Sequence, residues 1–303
     1  MEYQNFITVV KEEVEKRTGE NYKVRVNDIM KNNGVILNGL TVMGEHCNIS
    51  PTIYLNGFYE AYESGVMTLG GVVDEVMETY ERNKVAKSVD MNHFMTYENI
   101  RDKVIYKLVH AERNRVLLED VPHIKVHDLA VVFQCLMAQE DMGNATVLIH
   151  NAHLKLWGID EKKLYQAAIV NTPRLLPYEI SAMKDVIRQL LELDEELPVE
   201  EGNIPMYVLS NRARIFGAAC ILYPDVLRNF ADEIESDLYI LPSSVHELIL
   251  LPTSAGSDIA ELTKMVQDIN ETQLGQEEVL SDSIYYYSRD EGKLLMLSEE
   301  KQM

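Results

Sequence analysis

Two apolar runs separated by a short polar segment constrain the fold of this chain most strongly. They lie in the stretch SDLYILPSSVHELILLP, residues 236–252. Short apolar runs bounded by turn residues are typical of buried strands. The pattern therefore predicts two core strands joined by a bend, and that bend is also where serine, histidine and glutamate crowd together.

The candidate catalytic residues in this bend are Ser244, His246 and Glu247, a set that could form the triad of a serine hydrolase. On an extended strand, however, side chains alternate between faces. Ser244 and His246 would then share one face, and Glu247 would lie on the other. If the segment were helical, Ser244 and Glu247 would instead form a capping box. Both geometries favour a structural turn, so any chemistry would need residues from a distant part of the chain.

The remaining sequence mixes helical and strand periodicities, which predicts an α+β protein. We expect a small N-terminal helix/hairpin module over residues 1–90 and a larger mixed α/β domain over residues 91–303. The polar segment Asn83–Asn92 is the predicted linker. In the N-terminal module the patterns predict helices at 2–17, 57–64 and 69–83, the last capped by Thr68, and a hairpin of strands 22–26 and 35–42 around the turn 31–34.

The second domain is predicted to contain both kinds of element, separated by turn signals and caps. The expected strands are 104–109, 128–138, 145–150, 206–209, 238–241, 284–287 and 294–297. The expected helices are 160–170, 178–193, 217–234 and 258–269.

Acidic side chains greatly outnumber basic ones, 49 against 28, which gives a net charge of −21. Such a field repels phosphate backbones and anionic lipid, so we expect no nucleic-acid and no membrane-surface binding. Most of the excess falls in residues 91–303. The first explanation of this charge is solubility. The alternatives are a basic protein partner and mimicry of nucleic acid.

The three cysteines, Cys47, Cys135 and Cys220, are widely spaced and form no CxxC pair. Sparse cysteines with apolar neighbours indicate reduced core residues. The first residues lack the basic start and apolar core of a secretion signal, and no run approaches the ~18 apolar residues of a membrane helix. These features predict a soluble, cytoplasmic protein.

Two histidine pairs, His123 with His127 and His150 with His153, have spacings at which two imidazoles can bind one metal ion on a helix. Pro122 and the alternation after it predict an extended first pair, whose side chains would lie ~13 Å apart. We expect structural histidines, no metal and no cofactor, since glycine-rich phosphate loops are absent from the sequence as well.

Several phrases together resemble the domain-of-unknown-function family 5688, a group of clostridial proteins. They are NNGVILNGL, NISPTIYLNGFYEAYESG, VPHIKVHDLAVVF, AAIVNTPRLLP, LYILPSSVHELILLP and EEVLSDSIYYYS. The resemblance covers nearly the whole chain. It implies a bacterial cytosolic origin and brings neither an activity nor catalytic residues.

The leading hypothesis is therefore a non-enzymatic interaction or regulatory protein, because no complete catalytic or cofactor motif is present. The alternative is a hydrolase whose site is assembled from distant segments. Its nucleophile would be Ser244 or Cys220, and its base His246 or His150. The second alternative is an acidic nucleic-acid mimic that blocks a DNA-binding protein.

Overall fold

The structure is a computed structural model that describes residues 1–45, 47–84, 94–139, 143–191, 204–242, 244–256 and 258–297. It contains helices and antiparallel sheets, which confirms the α+β class. The chain divides into two compact units. Unit 1 comprises Met1–Thr96 with Met137–Ala145, and unit 2 comprises Tyr97–Leu136 with Thr146–Met303. The predicted boundary at residue 90 lies outside the described residues.

Unit 1 contains a three-stranded antiparallel sheet in the order β1-β2-β3, together with helices on either side of it in the sequence. The predicted hairpin is confirmed, because β1 and β2 pair along their whole length around a turn in which Asn33 has a φ of 58°. The elements are α1 (Tyr3–Thr18), β1 (Tyr22–Met30), β2 (Ile36–Gly44), β3 (Thr52–Tyr54), α2 (Asn56–Glu63) and α3 (Leu69–Asn83).

The core of unit 1 forms where the apolar stripes of α1 and α3 meet one face of this sheet. Phe6 is fully buried there, and its ring centroid lies 5.2 Å from the ring centroid of Tyr59 and 5.5 Å from that of Tyr62. The predicted cap of α3 is confirmed, since the Thr68 hydroxyl accepts a hydrogen bond from the Gly71 N–H at 3.2 Å. Periodicity thus predicted both the helices and the face that they bury.

The first half of unit 2 is organised around β6, which pairs antiparallel with β4 and β5 and also pairs with β7. The parts of β6 and β7 that lie within residues 137–145 belong to unit 1. The buried apolar face of α7 packs against β4. The elements are α4 (Tyr97–Ile100), β4 (Val104–His110), α5 (Arg115–Asp120), β5 (His123–Val126), β6 (Leu129–Gln139), β7 (Gly143–Leu148), α6 (Asn151–Trp157) and α7 (Glu161–Leu175).

The second half of unit 2 forms a six-stranded antiparallel sheet in the order β13-β12-β10-β11-β9-β8. The predicted core strand pair is confirmed at its centre, where β10 and β11 pair from Leu238 opposite Pro252 to Leu241 opposite Ile249. The elements are β8 (Tyr178–Ala182), α8 (Met183–Leu190), β9 (Tyr207–Asn211), α9 (Val226–Glu233), β10 (Leu238–Leu241), β11 (Leu248–Pro252), α10 (Ile259–Thr272), β12 (Ile284–Ser288) and β13 (Lys293–Leu297).

The helix predicted over 178–193 is wrong in its first part. Tyr178–Ala182 forms the edge strand β8, paired with β9 from Tyr178 opposite Asn211 onward, and α8 begins only at Met183. Pairing with a strand that comes 25 or more residues later satisfies the main chain here, so tertiary structure overrides the local helical pattern.

The helix predicted over 217–234 is two separate elements. Gly217–Leu222 is a 3-10 turn, and α9 begins at Val226. Pro224 lies between them, and Asp225 has a φ of 60°. Proline removes a main-chain donor and disfavours helix in the residue before it, so the chain breaks at this point.

Within the described part of the chain, no helix has both the length and the apolar character needed to cross a membrane.

We expect Phe6→Ala to lower the free energy of unfolding by about 3–5 kcal/mol, because it empties a fully buried aromatic site. Val66→Ala is the matched control in the same unit. Val66 is 79% exposed, and its truncation should change stability by less than about 0.5 kcal/mol. Urea unfolding followed by circular dichroism measures both changes. Equal effects of the two variants would contradict the core assigned to α1.

Candidate functional site

The predicted catalytic residues lie in the loop that joins β10 to β11. Ser244 is buried, and its N–H donates to the carbonyl oxygen of Glu247 at 3.2 Å, which closes the loop. The Ser244 hydroxyl oxygen accepts a hydrogen bond from the His246 N–H at 3.0 Å. Ser244 thus holds the turn that the sequence favoured. Ser243 lies outside the described residues.

The imidazole of His246 is also engaged by the main chain. Its Nδ1 accepts a hydrogen bond from the Phe216 N–H at 3.2 Å, and its ring stacks on the Phe216 ring with centroids 5.7 Å apart and planes 15° apart. Because a main-chain N–H can only donate, Nδ1 is the accepting nitrogen, and Nε2 carries the hydrogen of the neutral ring. In this arrangement His246 offers a donor at Nε2 and has no lone pair left for a general base.

Glu247 pairs with a different loop. Its carboxylate lies 3.8 Å from Nη1 of Arg214, and both side chains are more than a third exposed. An exposed pair at this distance adds little to stability. No hydrogen bond joins Glu247 to His246 in the described part of the chain, so the two residues do not form the acid–histidine pair of a triad.

The loop that carries Phe216 follows β9 and is held by a buried asparagine. The side chain of Asn211 donates to the Ile215 carbonyl oxygen at 2.7 Å and accepts from the Ile215 N–H at 3.2 Å. Arg214 and Phe216 have φ values of 51° and 52°. For residues other than glycine this left-handed region costs roughly 1–2 kcal/mol each. The two hydrogen bonds of the Asn211 side chain hold the loop in this strained conformation. Backbone strain of this kind clusters at functional sites.

Gly217 lets this loop approach the β10–β11 loop closely. A Cβ at position 217 would collide with the Ser210 hydroxyl and the His246 carbonyl oxygen, and would come within 2.8 Å of the Asn211 N. In its absence, the Ser210 hydroxyl donates to that same His246 carbonyl at 2.8 Å. Only glycine therefore fits at this position, and the two loops are held together in a cross-braced arrangement.

A basic side chain contacts the Phe216 ring. Nζ of Lys107, on β4, lies 4.5 Å from the ring centroid, a cation–π geometry. Arg212 and Arg214 are exposed on the same loop. We call these residues, with Phe216 and His246, the Phe216 cluster. In a chain with a net charge of −21 this cluster combines exposed arginines with a half-buried aromatic ring that contacts His246 and Lys107.

The alternative nucleophile Cys220 lies in the core of unit 2. It is fully buried, and that burial raises the pKa of its thiol to about 12. Tyr223 and Tyr106 stack edge to face nearby, with ring centroids 6.2 Å apart, and burial raises the pKa of both phenols as well. The thiolate is the nucleophilic form of cysteine, so burial disfavours a nucleophilic role for Cys220 at neutral pH.

The alternative base His150 caps a helix. Its ring Nδ1 lies 2.7 Å from a carboxylate oxygen of Asp120. Its main-chain N–H donates to Nδ1 of His153 at 3.0 Å at the start of α6. His153 stacks on Trp157, and burial, followed by the charge of His150, lowers its pKa. Both histidines thus have structural partners at this helix terminus.

The predicted extended conformation is confirmed for His123–Val126, which form β5, but His127 follows the strand in a turn with a φ of 57°. Nδ1 of His123 lies 3.1 Å from the Val121 carbonyl oxygen, and Nε2 of His127 lies 3.2 Å from that of Leu294. Over the described residues, no three His, Cys, Asp or Glu side chains come together as a metal site.

The carboxylate of Asp128, next to His127, is bound by two hydroxyl groups. Those of Ser281 and Tyr285 both donate to it. Burial, and then the charge of Asp128, raises the pKa of Tyr285. Nε2 of His110 lies 3.9 Å from the same carboxylate, and burial lowers the pKa of that histidine. These contacts tie the β5–β6 turn to β12, which is a structural role.

Sequence reasoning found the β10–β11 loop but missed the loop that faces it. Asn211, Phe216 and Gly217 carry no motif. Asparagine after an apolar strand and a nearby glycine are weak turn signals. No sequence pattern predicts the positive φ of Phe216, because the left-handed region is unusual for an aromatic residue.

A comparison with family models shows a match over residues 3–289 to a family described as a family of unknown function, DUF5688. The chain belongs to this family. The comparison with curated proteins found no match, and neither did the comparison with solved structures. Family membership therefore confirms the resemblance seen in the sequence and leaves the function to be argued from the site.

We expect Gly217→Ala to destabilise the protein by about 2–3 kcal/mol, because the added methyl group overpacks the contact with Ser210 and His246. Gly70→Ala is the matched control. Nothing lies within 4 Å of a Cβ there, and alanine favours the helix by about 0.5–1 kcal/mol. Thermal unfolding should shift in opposite directions for the two variants. A neutral Gly217→Ala would contradict the cross-braced arrangement of the loops.

The buried thiols give a second prediction. At pH 8 the native protein should react rapidly with a thiol reagent such as DTNB at the half-buried Cys47 alone. Cys135 and Cys220, whose pKa values burial raises to about 11 and about 12, should react only after unfolding. Peptide mapping of the labelled thiols checks this. Rapid native labelling of Cys220 would restore it as a nucleophile.

Proposed function

We propose that this protein acts by binding another protein, and that it has no catalytic activity at the β10–β11 loop. One observation carries the proposal: the Nδ1 lone pair of His246 is occupied by the Phe216 N–H. Ser244 supports it, since its hydroxyl is buried and holds the turn. A general base needs a free lone pair within reach of the proton that it removes.

Two further features support a protein partner. The Phe216 cluster contains exposed arginines and a half-buried aromatic ring, and aromatic residues and arginine are enriched at protein interfaces. The net charge of −21 favours a partner whose surface is basic and accelerates its association. We place this interaction in the cytoplasm, because Cys47, Cys135 and Cys220 are all free.

Activity-based probes distinguish binding from hydrolysis. A fluorophosphonate probe for serine nucleophiles and a chloroacetamide probe for cysteine nucleophiles should leave Ser244 and Cys220 unlabelled in the full-length native protein. The controls are Ser244→Ala and Cys220→Ser. Labelling of the wild type that either control abolishes would overturn the proposal and support the hydrolase alternative.

Affinity capture tests the binding itself. The tagged wild-type chain should retain a basic protein from native lysate, and retention should weaken between about 0.1 M and about 0.5 M salt as screening increases. In Phe216→Gly the ring is removed and the strained φ becomes favourable, so this variant stays folded and should lose the partner. A monomer that retains nothing would contradict the proposal. Displacement of the partner by duplex DNA would instead support nucleic-acid mimicry.

A further inference from the structure

Strand β1 has an open edge. The sheet of unit 1 has the order β1-β2-β3, so in the described part of the chain β1 pairs with β2 alone, over the nine residues Tyr22–Met30. An edge of this length presents a row of main-chain donors and acceptors that a further strand could use.

The hydrogen bonds of the neighbouring strands show which groups face that edge. The carbonyl oxygen of Asn38 accepts from the Leu55 N–H at 2.9 Å, and both main-chain polar groups of Val42 bond to Ser50. Asn38 and Val42 therefore direct their main-chain groups away from β1. In antiparallel pairs directly opposite residues share this orientation, so their partners Asp28 and Val24 direct theirs away from β2.

The alternation along β1 extends this assignment. The N–H and C=O groups of Val24, Val26, Asp28 and Met30 all face the open edge, and no described residue bonds to them. The side chains of Val24 and Val26 face the core under α1, while Lys23 and Arg25 project from the opposite face of the sheet and are exposed.

A groove of about 670 Å³ lies beside this edge, between the second half of α1 and the first half of β1. Four of its lining residues are basic and two are acidic. The basic residues are Lys11, Lys16, Lys23 and Arg25, and the acidic ones are Glu15 and Glu20.

The ion pairs of the groove lie on the helix side. Lys11 pairs with Glu15 at 3.5 Å, and Lys16 with Glu13 at 2.6 Å. Lys23 and Arg25 have no ion-pair partner among the described residues, although acids outnumber bases widely in this chain. Two uncompensated cations along an open edge are complementary to an acidic strand.

We propose that this groove binds an extended segment of a partner protein, in which acidic and apolar residues alternate, as an antiparallel fourth strand on β1. Directly opposite residues share a face of the sheet, so acidic side chains would lie opposite Lys23 and Arg25, and apolar ones opposite Val24 and Val26. Main-chain hydrogen bonds supply affinity, and the alternation supplies specificity. The inference rests on the proposed function in that this chain binds another protein; the segment bound here is acidic, although the rest of that partner's surface is expected to be basic.

Charged edges often serve to prevent pairing between sheets. Lys23 and Arg25 would repel a basic strand or a second copy of β1, but they attract an acidic one. The same two side chains therefore exclude most strands and select one kind, which gives the groove a specificity that a purely protected edge would lack.

Synthetic peptides test the groove on the full-length chain. A fluorescent nine-residue peptide that alternates glutamate and valine should bind, and its lysine–valine counterpart should not. In an antiparallel strand the valine amides would face β1, so N-methylation of those amides should abolish binding, while N-methylation of the glutamate amides should preserve it. Fluorescence anisotropy measures all four titrations.

A charge-reversed variant locates the site. Lys23→Glu with Arg25→Glu should weaken binding of the glutamate–valine peptide by about tenfold or more, since two attractive pairs become repulsive. The matched control is Lys125→Glu with Lys162→Glu, two exposed positions of unit 2 that give the same net charge. Circular dichroism confirms that both variants are folded.

Three results would overturn the inference: no binding of the glutamate–valine peptide, equal binding of the lysine–valine peptide, or equal loss with both patterns of N-methylation. A control variant that weakens binding as much as the groove variant would overturn it too. These outcomes are separate from failure of the proposed function, because labelling of Ser244 or Cys220 by active-site probes involves unit 2 and leaves the titration of the groove interpretable.

Discussion

The close approach of Gly217 to the carbonyl oxygen of His246 determines what the β10–β11 loop can do. Because position 217 has no side chain, the Ser210 hydroxyl reaches this carbonyl and the Phe216 N–H reaches Nδ1. The Ser244 hydroxyl, the His246 carbonyl oxygen and Nδ1 of His246 are all bonded within the protein. A serine and a histidine in one loop therefore stabilise a turn here, and the exposed side chains nearby are those of Arg212 and Arg214.

The strain in the adjoining loop fits the same account. Arg214 and Phe216 are held in the left-handed region by the two hydrogen bonds of the Asn211 side chain. Under the proposed function, a partner that covered this ring would cost little conformational entropy, because the backbone of Phe216 is already fixed, and this preorganisation would strengthen binding. The fold itself would bear the free-energy cost of the strained backbone, and the gain would appear only in a complex.

The sequence predicted those parts of the structure that depend on local pattern. The stripe of α3, the Thr68 cap and the hairpin of β1 and β2 follow from spacing and turn residues, and the structure confirms them. The prediction failed for Tyr178–Ala182, because pairing with β9 decides that segment. It found Ser244 and His246 but missed Phe216 and Gly217, since a close approach between loops depends on where the sheet places them and not on neighbouring residues.

The charges of the chain and the main-chain hydrogen bonds at the β1 edge would act on an approaching strand over different distances. At physiological ionic strength the Debye length is about 8 Å, so the acidic chain as a whole repels an approaching acidic segment only weakly beyond that distance. Within it, Lys23 and Arg25 are the nearest charges on β1, and salt weakens their attraction in turn. Main-chain hydrogen bonds to Val24 and Val26 are insensitive to salt. Charge would therefore orient an acidic strand on β1, and the main-chain pairing would account for most of the time that the strand stays bound.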